Sequence, residues 1–192
     1  MSADEFDVIR KLFAPLAGDG ARGLLDDAAL LQAQGPLVVT TDAIVEGVHF
    51  LPNDPIDTIA MKALRANVSD LVGKGARPVS ALLTLIWPRT RASADIVQFA
   101  DALGRDLARF GMALIGGDTT STSGPLTVSI TAFGAPLGPR TPSRTDAKAG
   151  DDVWLVGGEI GSAWLGLQLR TGALTLADLK RGRESFVAPA DE

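Results

Sequence analysis

Apolar residues recur along the chain with helical spacing in three places. Asp54, before Pro55, is predicted to cap a first long helix, and the apolar positions of 56–71 trace its buried face. Ser93 is predicted to cap a second helix, whose face is traced by the apolar positions of 96–110. A shorter amphipathic helix is predicted near the start by Phe6, Ile9, Leu12 and Phe13. We therefore expect two long helices and one short helix before residue 111.

Short apolar runs bounded by turn residues predict strands between these helices. Ala28–Leu31 and Leu37–Thr41, joined by Gln32–Pro36, are typical of a hairpin. Further strands are predicted at 79–87, 112–115 and 126–134. Strands that alternate with helices indicate an α/β (α+β) fold, with a mixed sheet and flanking helices.

A loop rich in Gly, Pro, Thr and Arg, from Pro136 to Lys148, is the best domain boundary. We expect an N-terminal domain over 1–148. A new pattern then begins, with a strand at Asp152–Val156 and a helix at Ala163–Leu169. Because residues 149–192 cannot cover these apolar faces by themselves, we interpret them as the start of an incomplete second α/β domain.

Composition narrows the possible functions. The 192 residues are 46% hydrophobic and 21% charged, with a net charge of −5, no Cys and one His. No Lys/Arg run is present, so nucleic acid and anionic membranes are not expected partners. The acidic N-terminus does not resemble a signal peptide, and no apolar run is as long as a membrane span. We expect a cytoplasmic protein without disulfides.

Four carboxylates stand where apolar segments end: Asp27, Asp42, Asp70 and Asp118. Segment ends can converge in a fold. Oxygen ligands without Cys suit hard cations such as Mg²⁺, which binds a few carboxylates together with substrate phosphates. The pattern favours metal-assisted phosphate chemistry, although Asp also ends strands and caps helices for purely structural reasons.

Asn67 interrupts the apolar face of the first long helix, one turn before Asp70. A polar group on a buried stripe needs hydrogen-bond partners, so this position indicates a site as well as packing.

Other phosphate and hydrolase motifs fail on specific residues. Gly73-Lys74 lacks the remainder of a P-loop, and Val156 occupies the first glycine position of a dinucleotide fingerprint. No Cys or Gly-x-Ser-x-Gly elbow accompanies His49, which by itself is more often a loop residue bonded to backbone than a base. A triad hydrolase is not indicated.

Several motifs in register resemble thiamine-monophosphate kinases. They are Asp26–Leu31, Thr40–Asp42 with Glu46–Phe50, Asn67–Leu71 with Gly75–Pro78, Gly116–Thr120, Arg140–Arg144 and Lys148–Asp151. The resemblance covers residues 1 to about 170. The His49-Phe50 element helps to separate this kinase from related aminoimidazole-ribonucleotide and selenophosphate synthetases.

The resemblance implies a fold and a reaction. The fold is a two-domain α/β protein that forms a homodimer through a β-barrel shared by the N-terminal domains. The reaction transfers the γ-phosphoryl group of ATP to thiamine monophosphate, with Mg²⁺, and yields thiamine diphosphate and ADP. No protein base is required, because charge neutralisation and positioning dominate when one phosphate attacks another.

The resemblance also assigns roles to individual residues. Metal ligands would be Asp27, Thr40, Thr41, Asp42, Asp70 and Asp118. Contacts with ATP would be Gly117, Asp118 and Arg144, and His49 would contact thiamine monophosphate.

Two departures from the family leave alternatives open. Leu25 precedes the acidic pair where the family usually has glycine, and the family's C-terminal half, with further metal and substrate contacts, is not among these residues. The chain then belongs either to an active kinase or to a non-catalytic module for nucleotide binding and dimerisation. A relative acting on another phosphate or carboxylate is a third, less favoured interpretation.

Overall fold

A computed structural model of the chain describes residues 5–26, 28–154 and 160–179. Their contacts divide the chain into two compact units, Met1–Ala147 and Lys148–Glu192. The sequence-based boundary at residue 148 concerns domains with separate functions, and that assignment stays a prediction.

The first unit is built on a four-stranded mixed sheet. Its strands are β1 (Val38–Val45), β2 (Ala76–Pro88), β3 (Ala113–Thr122) and β4 (Thr127–Pro136), in the order β1-β4-β2-β3. β4 pairs antiparallel with β1 and β2, whereas β2 and β3 are parallel. Alternate residues of β2 and β4 are buried, so one face of the sheet is covered and the other is not.

The long helices α2 (Ile56–Gly73) and α3 (Ser93–Arg109) supply the other half of the core. Phe99 of α3 is 0% exposed, and its ring meets Trp87 of β2 edge-on, with centroids 6.1 Å apart. The N-terminal segment consists of helix α1 (Glu5–Val8), a π-helical turn (Ile9–Phe13) and two 3-10 helices (Ala14–Leu16, Asp19–Leu24). Phe13 anchors this segment in the core.

A bidentate ion pair joins the two long helices, α2 and α3. Nε and Nη2 of Arg65 donate to the Asp106 carboxylate at 2.6 and 2.9 Å, and the Asp106 side chain is only 6% exposed. The hydrogen bond with Asp106 raises the pKa of the Arg65 guanidinium, because it favours the charged form. The apolar pattern of α3 gave no sign of this buried acid.

Three local predictions were wrong. Residues 28–37 form no strand, so the expected hairpin is absent, and β1 pairs with β4 instead. The helices begin at Ile56 and Ser93, and neither start has a capping side-chain hydrogen bond. Asp54 instead accepts the Leu51 amide proton in the turn before α2.

The second unit is described through residue 179, with a gap at 155–159. Its helix α4 (Ser162–Thr171) agrees with the helix expected at 163–169. The strand expected at 152–156 is not seen over 152–154, and its last two residues lie outside the described residues. None of the α4 side chains is buried.

Within residues 5–26, 28–154 and 160–179, each helix is too short or too polar to cross a bilayer.

Candidate phosphate and metal site

A groove of about 1580 Å³ lies on the first unit, where the segment before β1, the end of α2 and the loop after β4 come together. Thr40 and Asp70 line it, and so does Arg144, so three predicted site residues share one cavity. The segment Gln32–Leu37, expected to turn a hairpin, forms another wall.

Thr40 and Asp70 are in direct contact although 30 residues separate them in the chain. The Thr40 hydroxyl donates to Oδ2 of Asp70 at 2.9 Å, which joins β1 to the last turn of α2. Both side chains offer oxygen, the ligand type that Mg²⁺ prefers. Asp70 is exposed to the groove, so its carboxylate remains accessible to a cation.

The end of α2 adds to the negative potential at this point. The carbonyl end of a helix carries a partial negative charge, and the last turn of α2 contains no basic residue. Asp70 lies in this last turn, so its carboxylate and the carbonyl end of the helix both favour a bound cation.

Cationic side chains line the same groove. Lys74 follows α2 directly, Arg77 lies on β2, and Arg144 lies in the loop after β4. Among the described residues, the side chains of Arg77 and Arg144 have no hydrogen-bond or ion-pair partner, so both guanidinium groups are available to an anion. The groove therefore combines a carboxylate that could hold a cation with cationic side chains of the kind that bind phosphate.

Asp42 and Asp118 lie on opposite edge strands, β1 and β3. Asp42 stands opposite Ile130 of β4, and Asp118 stands opposite Thr84 of β2. Three strand spacings of ~4.8 Å separate the edges by about 14 Å. The expected convergence of these two acids is not seen within the chain.

The remaining predicted metal ligands are placed differently. The Thr41 hydroxyl is paired with that of Thr131 at 3.0 Å, outside the groove, and Asp27 lies outside the described residues. Within the ranges that the structure describes, no three His, Cys, Asp or Glu side chains are grouped to hold a metal. Thr40 and Asp70 fit a Mg²⁺ that receives most of its other ligands from phosphates and water.

Gly117, a predicted ATP contact, occupies a position that only glycine tolerates. Its φ is +155°, and an added Cβ would lie 1.8 Å from the carbonyl oxygen of Leu83. The glycine is thus explained by the close approach of β3 to β2, and this packing role holds whether or not a nucleotide binds.

His49, the predicted substrate contact, is exposed in the turn after β1. Its Nδ1 accepts the backbone N–H of Val45 at 3.1 Å, which leaves the proton of the neutral ring on Nε2. Lys62 of α2 donates to the His49 carbonyl and fixes the turn. Nε2–H is then a donor directed away from the backbone contact.

Asn67 is fully buried, and its Nδ2 donates to the Ala63 carbonyl at 3.0 Å. Its Oδ1 has no hydrogen-bond partner among the described residues. Asn67 does not line the groove, so its interpretation as part of a site stays a prediction.

Sequence reasoning missed Lys74 and Arg77 as groove residues. Arg77 lies within the motif Gly75–Pro78 and Lys74 directly before it, yet neither stands at the end of an apolar segment. The signal that could have found them is the turn Lys74-Gly75, whose Gly75 has φ +62° and brings the chain back along the end of α2.

The chain matches a known protein family. Residues 25–135 match the AIR synthase related protein family, N-terminal domain. The chain belongs to this family.

Relatives that are similar over most of the chain are thiamine-monophosphate kinases. The enzyme of Caulobacter vibrioides is 46% identical over 188 residues, which are 94% of this chain and 53% of the relative. A crystal structure of the kinase from Stenotrophomonas maltophilia is 42% identical with a TM-score of 0.71, and it covers 89% of this chain and 54% of that one. The motif-based resemblance is confirmed.

A solved structure of AaThiL complexed with AMPPCP and TMP is 27% identical, with a TM-score of 0.67, and the match covers 92% of this chain and 56% of that one. These matches confirm the mixed α/β fold with a mixed sheet and flanking helices. The chain spans about half the length of the curated relatives that it matches.

Proposed function

We propose that the protein containing this chain transfers the γ-phosphoryl group of ATP to thiamine monophosphate in a Mg²⁺-dependent reaction. The observation that carries this proposal is the groove, where Asp70 and Thr40 offer oxygen ligands beside the cationic Lys74, Arg77 and Arg144. A metal-bound triphosphate carries both complementary charges. The thiamine-monophosphate kinase relatives support the choice of acceptor.

The proposed reaction joins two anions, so the protein must lower their repulsion and hold them in line. Asp70 and Thr40 would hold Mg²⁺, which supplies charge neutralisation between the phosphates when bound. Arg144 would bind phosphate oxygens as a bidentate donor, and its planar guanidinium would restrict the orientation of the chain of phosphates.

The other predicted contacts belong to the same proposal. We assign Gly117 and Asp118 to ATP, and the Nε2–H of His49 to thiamine monophosphate. Asp27, Thr41, Asp42 and Asp118 are proposed as further Mg²⁺ ligands.

Because β4 and β2 separate Asp42 from Asp118, the two acids would hold different Mg²⁺ ions. Thr40 and Asp70 are the proposed ligands whose side chains contact each other.

We further propose a cytoplasmic homodimer that forms through the uncovered face of the sheet. That face is supported as an interface because only alternate residues of β2 and β4 are buried, while the intervening ones stay partly exposed.

A second function agrees with the same groove. It is a module that binds nucleotide and dimerises without turnover. The two functions differ in whether thiamine diphosphate forms once the C-terminal half of a relative is supplied.

Turnover measurements separate these functions. The 192-residue chain is compared with a version extended by the C-terminal half of the Caulobacter vibrioides relative. We expect Mg²⁺-dependent formation of thiamine diphosphate by the extended protein and negligible turnover by the chain. Absence of turnover in both, with nucleotide binding retained, would favour the non-catalytic module.

A variant in the extended protein tests the site directly. We expect Asp70→Asn to lower kcat/KM by about 100-fold, because a lost metal ligand removes several kcal/mol of charge stabilisation in the transition state. Asp101→Asn is the matched control, since Asp101 is an exposed acid of α3 outside the groove. Equal losses for the two variants would refute the role of Asp70.

A further inference from the structure

Arg144 lies on an exposed arm, defined here as residues 137–144, which follows β4 and contains no helix or strand. Every residue of the arm is exposed, so core packing does not fix its position. Hydrogen bonds must therefore orient Arg144 if it is to meet a ligand in the groove.

Apart from bonds between Ser143 and the adjoining residues 145–146, two hydrogen bonds tie the described arm to the rest of its unit. The Leu137 amide donates to the Gly75 carbonyl at 2.9 Å, at the base of the arm. Nζ of Lys74 donates to the Pro142 carbonyl at 3.0 Å, two residues before Arg144. Of these two bonds, the one from Lys74 is the nearer to Arg144 along the chain.

Lys74 is itself held by the helix that carries Asp70. It is the C-cap of α2, and its amide donates to the carbonyls of Asp70 and Leu71 at 3.0 and 3.1 Å. Gly75 brings the chain close to the arm, since a Cβ there would lie 3.7 Å from Cδ of Pro142. One residue thus connects the metal side of the groove with its phosphate side.

We propose that Lys74 is a positioning residue that holds the arm so that Arg144 faces the groove. The inference rests on the proposed function, because it concerns the binding of a metal-bound polyphosphate. Small errors in the placement of a binding group weaken its interactions strongly, whereas one exposed hydrogen bond contributes little to folding. Loss of Lys74 should therefore affect ligand binding more than folding.

Calorimetric titration of the 192-residue chain with Mg·AMPPCP tests this role. We expect Lys74→Met to raise Kd about tenfold and to change Tm by no more than about 2 °C. Lys74→Arg should restore binding to within about twofold, since arginine can donate to the same carbonyl. Lys11→Met is the matched control, because Lys11 is an exposed lysine paired with Asp7 away from the groove.

A double-mutant cycle separates positioning from direct contact with phosphate. If Lys74 acts through Arg144, Lys74→Met should change Kd by less than about twofold in an Arg144→Met background. Hydrogen exchange supplies a readout without nucleotide. In Lys74→Met the amide of Ser143, which donates to Asp146 at 2.9 Å, should exchange faster if the Pro142 contact holds the arm.

The outcomes are distinguishable. The positioning role would be overturned if the losses of binding free energy for Lys74→Met and Arg144→Met were additive. It would also be overturned if the Ser143 amide exchanged at the same rate in Lys74→Met as in the parent. Normal binding by Lys74→Met beside weak binding by Arg144→Met would also overturn it, while the proposed function would stand. If the parent chain does not bind Mg·AMPPCP, the proposed function fails and this inference fails with it.

Discussion

The two units of the chain share similar apolar patterns but bury them to very different extents. In Met1–Ala147, Phe99 and Leu64 are 0% exposed beneath the sheet. In Lys148–Glu192, Trp154 is 83% exposed and Trp164 is 59% exposed. Helical periodicity predicts a helix in both units, but it produces a core only where a sheet covers the apolar face.

The two units differ in the stability of their helices more than in the presence of helices. α2 and α4 are both helices, yet eight residues of α2 are buried and none of α4 is. Because tertiary packing supplies most of the stability of protein helices, we expect α4 to open far more readily than α2.

Removal of an aromatic ring should show the largest difference in stability between the two units. We expect Phe99→Ala to lower the free energy of unfolding by about 4 kcal/mol, because it leaves a cavity beside Trp87. Trp164→Ala in α4 should lower it by less than about 1 kcal/mol. Urea denaturation followed by far-UV circular dichroism measures both. Similar values would show that Trp164 is buried in solution.

The next effect concerns the ion pair between α2 and α3. We expect Arg65→Met to destabilise the chain by about 3 kcal/mol, since it leaves the buried Asp106 carboxylate without its partner. Asp106→Ala should have about half that effect, because the Arg65 side chain is 44% exposed and can be hydrated. Urea denaturation measures both changes in the free energy of unfolding. A larger loss of stability for Asp106→Ala than for Arg65→Met would contradict this explanation.

Two glycine substitutions should give effects of opposite sign. Gly117→Ala is expected to destabilise the chain by about 2 kcal/mol, because the added Cβ meets the Leu83 carbonyl. Gly166→Ala in α4 should stabilise that helix by roughly 0.5–1 kcal/mol, since its Cβ would meet no atom within 4 Å. Helix content and Tm, measured for each variant and for the parent, give the sign of both effects. A destabilising Gly166→Ala would indicate that α4 is packed against another surface.

Helices and strands with a clear pattern of apolar residues were predictable from the sequence. The faces of α2 and α3 follow from apolar spacing, and β2 and β4 follow from apolar runs between turn residues. The expected hairpin failed because its first run satisfies its backbone elsewhere, as the Leu30 amide does with the Gly20 carbonyl. Local propensity could not reveal that long-range alternative.

The site was only partly predictable for a related reason. Asp70 and Thr40 were both candidates, but nothing in the sequence shows that their side chains meet. The distance between Asp42 and Asp118 depends on the strand order β1-β4-β2-β3, which no local pattern encodes. Lys74 gains its place through a hydrogen bond to Pro142, 68 residues away in the chain.

The central claim is that the groove binds the phosphates of a nucleotide through a metal held by Asp70. Titration of the 192-residue chain with AMPPCP, with and without Mg²⁺, tests it most directly. We predict that Mg²⁺ lowers Kd by at least about tenfold in the parent and by less than about twofold in Asp70→Asn, because the Asp70 carboxylate is the proposed charged ligand of the metal. An equal Mg²⁺ effect in both proteins, or none in the parent, would contradict the account.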